Sequence, residues 1–163
     1  VTGERAEESS ARAKYAAFEP HRTDNRTGLR VKRWIDQWRA VHQWSEQQVW
    51  EIIERWSIAV HPCYRIGWAR ASCLSCIFGS SNQWASVKAI APRRFIRIAN
   101  YETQFNTTIH RTRSVEEQAE RGTPYSMDPK IVALAMSTEY NEPIIMENWT
   151  LPAGAYGEGC GPT

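Results

Sequence analysis

Residues 2–12 read TGERAEESSAR, and the reading of the fold starts there. Val1 and Thr2 look like the last residues of a β-strand, Gly3 opens a polar turn, and residues 7–18 (EESSARAKYAAF) are Ala-rich with an acidic start. That composition predicts a helix, because acids at its beginning oppose the positive end of the dipole. The turn gathers Gly3, Arg5, Glu8, Ser9 and Arg12, offering backbone N–H groups, a hydroxyl and two guanidiniums. Such a set suits a phosphate or sulfate. A solvated, charged helix start is the plain alternative.

Further along, residues 21–28 (HRTDNRTG) are turn material, and residues 29–34 (LRVKRW) alternate apolar and basic side chains, the pattern of a short strand. Ser45 and Gln48 have capping-box spacing before Val49, Ile52, Ile53 and Trp56, which recur at helical intervals. Trp50 and Trp56 flank this face and are expected to pack. Pro92 starts a second amphipathic helix, with Phe95, Ile98, Tyr101 and Phe105 on its apolar side. Ser114 and Glu117 form another capping box ahead of a helix that Gly122 ends. Asp128-Pro129 begins the apolar KIVALAM. From about residue 142 the Pro- and Gly-rich tail reads as irregular. The chain is therefore expected to be mostly helical with one or two strands. A lone strand makes no sheet, so the remaining strands are expected to precede Val1.

The totals narrow the classes. A length of 163 residues suits one domain with a real core, and 42% hydrophobic against 23% charged residues is a globular balance. Eight tryptophans are many for this length; such rings are buried or line ligand pockets. A formal charge of +2 argues against a strongly basic nucleic-acid binder. Arg93, Arg94 and Arg97, with Arg111 and Arg113, form a local basic face. It is read as solvated, with RNA or DNA contact left open. No apolar run approaches a membrane span, and no export leader is evident. The four cysteines therefore suggest a reducing, cytoplasmic setting in which thiols bind metal, react or pack.

Three of those cysteines lie in residues 61–78, HPCYRIGWARASCLSCIF. Cys73 and Cys76 make a C-x-x-C pair able to hold Zn²⁺, to hold part of an iron–sulfur cluster or to act as a redox dithiol. Cys63 either joins them or fills an apolar site beside Pro62. Cys160, His61 and His110 are the available fourth ligands. Arg65 and Arg70 flank Gly67-Trp68 and suit a doubly charged oxyanion. His61 before Pro62 either caps a helix or meets a ligand.

Taken in order, TGERAEESSAR, WRAVHQWSEQQVWEII and HPCYRIGWARASCLSCIF resemble the second half of the phosphoadenosine phosphosulfate (PAPS) reductase family. That family carries a G-x-R-x-x-[EQ]-S-x-x-R turn, a Trp-bearing helix and an H-P-x-[YW]-x-x-G-[YW] loop. The resemblance covers residues 1–80 well, residues 92–122 loosely and the tail hardly at all. It implies an α/β fold of the adenine nucleotide α-hydrolase-like (PP-loop) type, of which 1–163 would be the C-terminal part. It implies an adenylyl sulfonucleotide or ATP as ligand. Arg5, Ser9 and Arg12 match the nucleotide-side turn; His61, Gly67 and Trp68 match the second substrate loop. Arg70, Cys73 and Cys76 are similar to relatives with a cysteine pair, some holding an iron–sulfur cluster.

Two features depart from the family. Its Gly/Ser-rich pyrophosphate loop would lie before Val1, and its E-C-G-x-H tail is echoed only loosely by residues 158–161 (EGCG), with Cys160 as the candidate catalytic thiol. The resemblance implies either thiol-dependent reduction to sulfite, with a reductant such as thioredoxin, or sulfur transfer to a nucleic acid. From a different class, the chain reads as a non-catalytic, zinc-stapled binding module. Lacking the pyrophosphate loop, the chain by itself is expected to be catalytically silent.

Overall fold

A computed structural model describes residues 1–71 and 73–157. The architecture is mostly helical, with one small antiparallel sheet. In chain order the elements are β1 (Phe18–Pro20), β2 (Asp36–Trp38), α1 (Glu46–Arg55), α2 (Pro62–Arg65), α3 (Ser81–Ile90), α4 (Pro92–Phe105), α5 (Val115–Arg121) and α6 (Pro129–Met136). The chain divides into two compact units, Val1–Ile52 and the part from Ile53 onward. No helix among the described residues is long and apolar enough to cross a membrane.

In the first unit β1 and β2 pair with Phe18 opposite Trp38 and Pro20 opposite Asp36. Thr2 adds a one-residue parallel bridge to Arg39, its N–H donating to the Trp38 carbonyl at 2.9 Å. The predicted helix over residues 7–18 is replaced by two single-turn 3-10 helices, Ala6–Glu8 and Arg12–Lys14. Ser9 is the cause. Its backbone is extended (φ −171°, ψ 159°), and its hydroxyl accepts the Arg12 N–H at 3.2 Å, a local bond that competes with helix propagation. The strand expected at residues 29–34 is also absent: that stretch is exposed, and β2 begins two residues later. Alternation alone does not make a strand where no apolar face covers one side.

This unit is held by polar groups. Arg39 is buried, pairing with Glu4 at 2.8 Å and Glu19 at 2.7 Å and donating to the Ala16 carbonyl at 2.7 Å. Its guanidinium carbon stands 4.6 Å from the Tyr15 ring centroid. Beside it His42 is buried. Its Nε2 lies 2.9 Å from the Arg12 carbonyl and its Nδ1 3.1 Å from the Gln43 side-chain amide, so both ring nitrogens have a partner.

The second unit has an apolar core of Ile66, Trp68, Trp84, Val87, Phe95, Val115 and Ala119. At its centre α3 packs on α4 and α5, while α2 packs on α6. The expected caps are present. Ser114 and Glu117 exchange both capping-box bonds, and Asp128 accepts the Lys130 N–H at 2.7 Å. Ser45 and Gln48 exchange the same pair of bonds at the start of α1. On α4, Phe95 and Glu102 are buried, whereas Tyr101 and Phe105 stack on each other in solvent at 5.9 Å. Glu102 takes the inward position because its carboxylate accepts the Ile109 and Val115 N–H groups, both at 2.8 Å. Trp56 does not pack as expected. It lies one residue past the end of α1 and is 64% exposed. The described residues beyond α6, 137–157, hold no further helix and are tied down: Trp149 donates to the Ile58 carbonyl at 3.0 Å and Gly154 N–H to the Tyr64 carbonyl at 2.7 Å.

Candidate functional site

The predicted site residues fall into both units. Arg5, Ser9 and Arg12 lie in the first; His61, Cys63, Arg65, Gly67, Arg70, Cys73 and Cys76 lie in the second. Cys160 lies outside the described residues, as does the motif echo around it.

In the first unit the turn after Thr2 is fixed from below by residues 42–46. Ala6 N–H donates to the His42 carbonyl at 2.8 Å, Arg5 reaches the Trp44 carbonyl at 3.4 Å, and Glu46 N–H donates to the Glu7 carboxylate at 2.8 Å. The arginines then meet on one group. Arg5 pairs with Glu7 at 3.1 Å and stands 3.8 Å from Glu8, and Arg12 pairs with the other oxygen of Glu8. A single carboxylate therefore sits between two guanidiniums, and the Ser9 hydroxyl accepts the Arg12 backbone N–H. Glu8 was legible as part of the turn, but not as the group on which both cations close.

In the second unit residues 61–68 form a tight loop. His61 caps α2, its Nδ1 accepting the Cys63 N–H at 3.1 Å, so the structure takes the capping role of this histidine. The ring is otherwise exposed. Pro62 is buried at the first helical position, where its missing N–H costs nothing. The helix lasts one turn because Gly67 adopts φ +101°, and the Trp68 N–H folds back to the Cys63 carbonyl at 3.0 Å. A Cβ at Gly67 would come within 2.8 Å of Tyr125 Cγ, so close approach and conformation both require glycine.

Trp68 is buried edge-on to Tyr125, with ring centroids 5.5 Å apart. Its indole Nε1–H is buried with no acceptor among the described residues. Orphaned buried donors are rare and cost free energy, so this one stands out beside a candidate ligand loop. Arg65 is half-buried and 3.6 Å from Glu142, and Arg70 is exposed. Tyr125, which shapes the loop from beneath, left no signal in the sequence: it is a single aromatic in a polar connection.

The cysteines separate. Cys63 packs against the apolar core, and burial pushes its thiol up to about 11. It is a poor thiolate at neutral pH. Cys73 is exposed and Cys76 half-buried; all three thiols are free. Among the described residues no group of three or more His, Cys, Asp or Glu side chains is arranged to hold a metal ion. A zinc or iron–sulfur site needs three or four such ligands close together, and Cys160, one candidate for the set, lies outside the described residues.

No family model matches the chain, and no solved structure matches it. The chain is similar to an uncharacterized 37.8 kDa protein in the gpa 5′ region of Escherichia phage 186, at 32% identity over 100 residues. The match covers 61% of this chain and 28% of the phage protein, so the chain spans well under half of that relative.

Proposed function

We propose that this chain serves a protein of the PAPS reductase type, with the turn after Thr2 receiving the phosphate or sulfate end of an adenylyl sulfonucleotide. The observation that carries the reading is the convergence of Arg5 and Arg12 on the Glu8 carboxylate. Guanidiniums that gather at a carboxylate present the same donors that phosphate and sulfate accept; Glu8 holds Arg12 in place meanwhile, and Glu7 holds Arg5. The parallel bridge from Thr2 to Arg39, just before the turn, is compatible with an α/β fold of the adenine nucleotide α-hydrolase-like type.

The loop at residues 61–68 supports the same reading independently. It keeps the H-P-x-Y-x-x-G-W order, leaves the His61 ring and Arg70 exposed, and holds an unsatisfied indole N–H at Trp68. Of the two reactions that the resemblance implies, reduction needs a thiolate to attack the sulfonucleotide sulfur. An S–S bond forms as the S–O bond to the nucleotide breaks, and a dithiol reductant then frees sulfite. Cys63, with its raised pKa and packed side chain, does not supply that thiolate.

Calorimetric titration of the 163-residue chain with adenosine 5′-phosphosulfate tests the reading. Arg12→Gln should weaken binding by about 10-fold or more, the loss expected for one charge-assisted hydrogen bond. Glu8→Gln should tighten binding, because it removes the competing carboxylate. Equal affinity in the parent and both variants would overturn the proposal.

A further inference from the structure

We propose that residues 21–36 form a rigid, basic hairpin arm that binds single-stranded nucleic acid, with Trp34 as a stacking platform for an unpaired base. Nothing in the nucleotide reading requires this arm, and the proposal stands apart from it.

Bonds of the arm's own fix its shape. His21 N–H donates to the Ile35 carbonyl at 2.8 Å, and Asn25 and Arg33 exchange backbone bonds at 2.7 and 3.3 Å, the arrangement of an antiparallel pair. The Asn25 side chain closes the tip by donating to the Val31 carbonyl at 2.8 Å. At the base, Asp24 accepts the Ile35 N–H at 2.6 Å and the Arg26 Nε–H at 2.9 Å, and Arg26 also pairs with Asp36. So much local order normally supports a core, yet this arm encloses none. Leu29 is 103% exposed, Val31 71% and Trp34 73%.

The charge is one-sided. Residues 21–34 hold five basic side chains and one acid, Asp24, although the whole chain carries only +2. Asp24 and Asp36 are both taken up by Arg26, while Arg22, Arg30, Lys32 and Arg33 are exposed and have no ion pair among the described residues. The Arg26 guanidinium carbon stands 5.5 Å from the Trp34 ring centroid, which orients the indole. Free cations along a backbone-spaced arm and an exposed, oriented indole are the two components of single-strand binding: phosphate neutralisation and base stacking. A duplex would satisfy the cations but offer the indole no unpaired base.

Fluorescence anisotropy with labelled oligothymidylate and oligouridylate tests the proposal on the 163-residue chain and separates DNA from RNA. Four phosphate contacts predict a log–log salt slope of about −3, at roughly 0.7 per contact on a single strand. Substituting Arg22, Arg30, Lys32 and Arg33 together by Gln should abolish most of that slope. Should that variant fold poorly by circular dichroism, Arg30→Gln alone decides, with an expected slope change of about 0.7. Trp34→Ala should weaken binding by about 10-fold and leave the slope unchanged. Substituting Arg93, Arg94 and Arg97 of α4 by Gln should change little. Four outcomes would each overturn the proposal: no salt-dependent binding by the parent, parental affinity in the arm variants, loss of binding only in the α4 variant, or binding to phosphatidylserine vesicles but to neither strand.

Discussion

The two units are stabilised by different physics. The unit from Ile53 onward is built around seven buried apolar side chains from α3, α4, α5 and the loop after α2. In Val1–Ile52 the most buried groups of the sheet region are Arg39 and His42, and Leu29, Val31, Trp34 and Trp38 face solvent. One unit removes hydrocarbon from water; the other holds short irregular segments by directional polar bonds. Burial is proportional to area and forgiving of detail, whereas a polar web depends on each partner being present.

The largest effect expected from this contrast is in the apolar unit. Trp84→Ala, at a nearly inaccessible position in α3, should cost about 3–5 kcal/mol and lower the denaturant midpoint of that unit. A shift under about 1 kcal/mol would mean that the core is not where burial places it. Gly67→Ala should cost about 1–3 kcal/mol from backbone conformation, with the Tyr125 clash added. A neutral result there would contradict the tight loop.

In the polar unit, Arg39→Met should strip amide-exchange protection from Thr2 and Ala6 while amides in α3 and α5 keep theirs. Uniform loss across both units would merge what the comparison separates. Thiol chemistry gives a finer test. Under native conditions Cys73 should be alkylated well before Cys63, whose thiol is buried and raised to about 11; equal rates by mass spectrometry would contradict that difference.

The smallest expected effect is a pH dependence within the arm. The Arg26 side chain, followed by the Ile35 N–H, holds the Asp24 carboxyl well below the usual carboxylate range. A depressed folded pKa means that its contribution is complete above the unfolded value of about 3.9 and is lost as pH falls toward the folded value. The Ile35 amide resonance should therefore keep its position until well below that pH. A midpoint near 4 would break the assignment.

The same contrast explains what the sequence made legible. α1 and α5 were readable from their capping boxes, α6 from Asp128-Pro129 ahead of an apolar run, and α4 from Pro92 ahead of apolar residues at helical intervals. α3 escaped notice because it is buried on several sides, which flattens that periodicity, although Ser80 and Gln83 at its start hold capping-box spacing and Ser80 does accept the Gln83 N–H at 3.2 Å. In the first unit helix propensity over residues 7–18 lost to the Ser9 hydroxyl, and no pattern of period could reveal that Arg39 would be buried. At the candidate site, the loop at residues 61–68 carried its capping histidine and its glycine in plain view. The meeting of Arg5 and Arg12 on Glu8, and the orphaned Trp68 N–H, depend on tertiary placement that spacing does not encode.

We propose that the turn after Thr2 receives an oxyanion of an adenylyl sulfonucleotide. Titrating the ¹⁵N-labelled chain with adenosine 5′-phosphosulfate and following the Arg5 and Arg12 Nε–H and Ser9 N–H resonances tests it most directly. Saturable shifts are expected at all three, reached at lower ligand concentration in Glu8→Gln. If those resonances stay fixed while the nucleotide shifts others, or if the nucleotide shifts none, the turn does not receive the oxyanion.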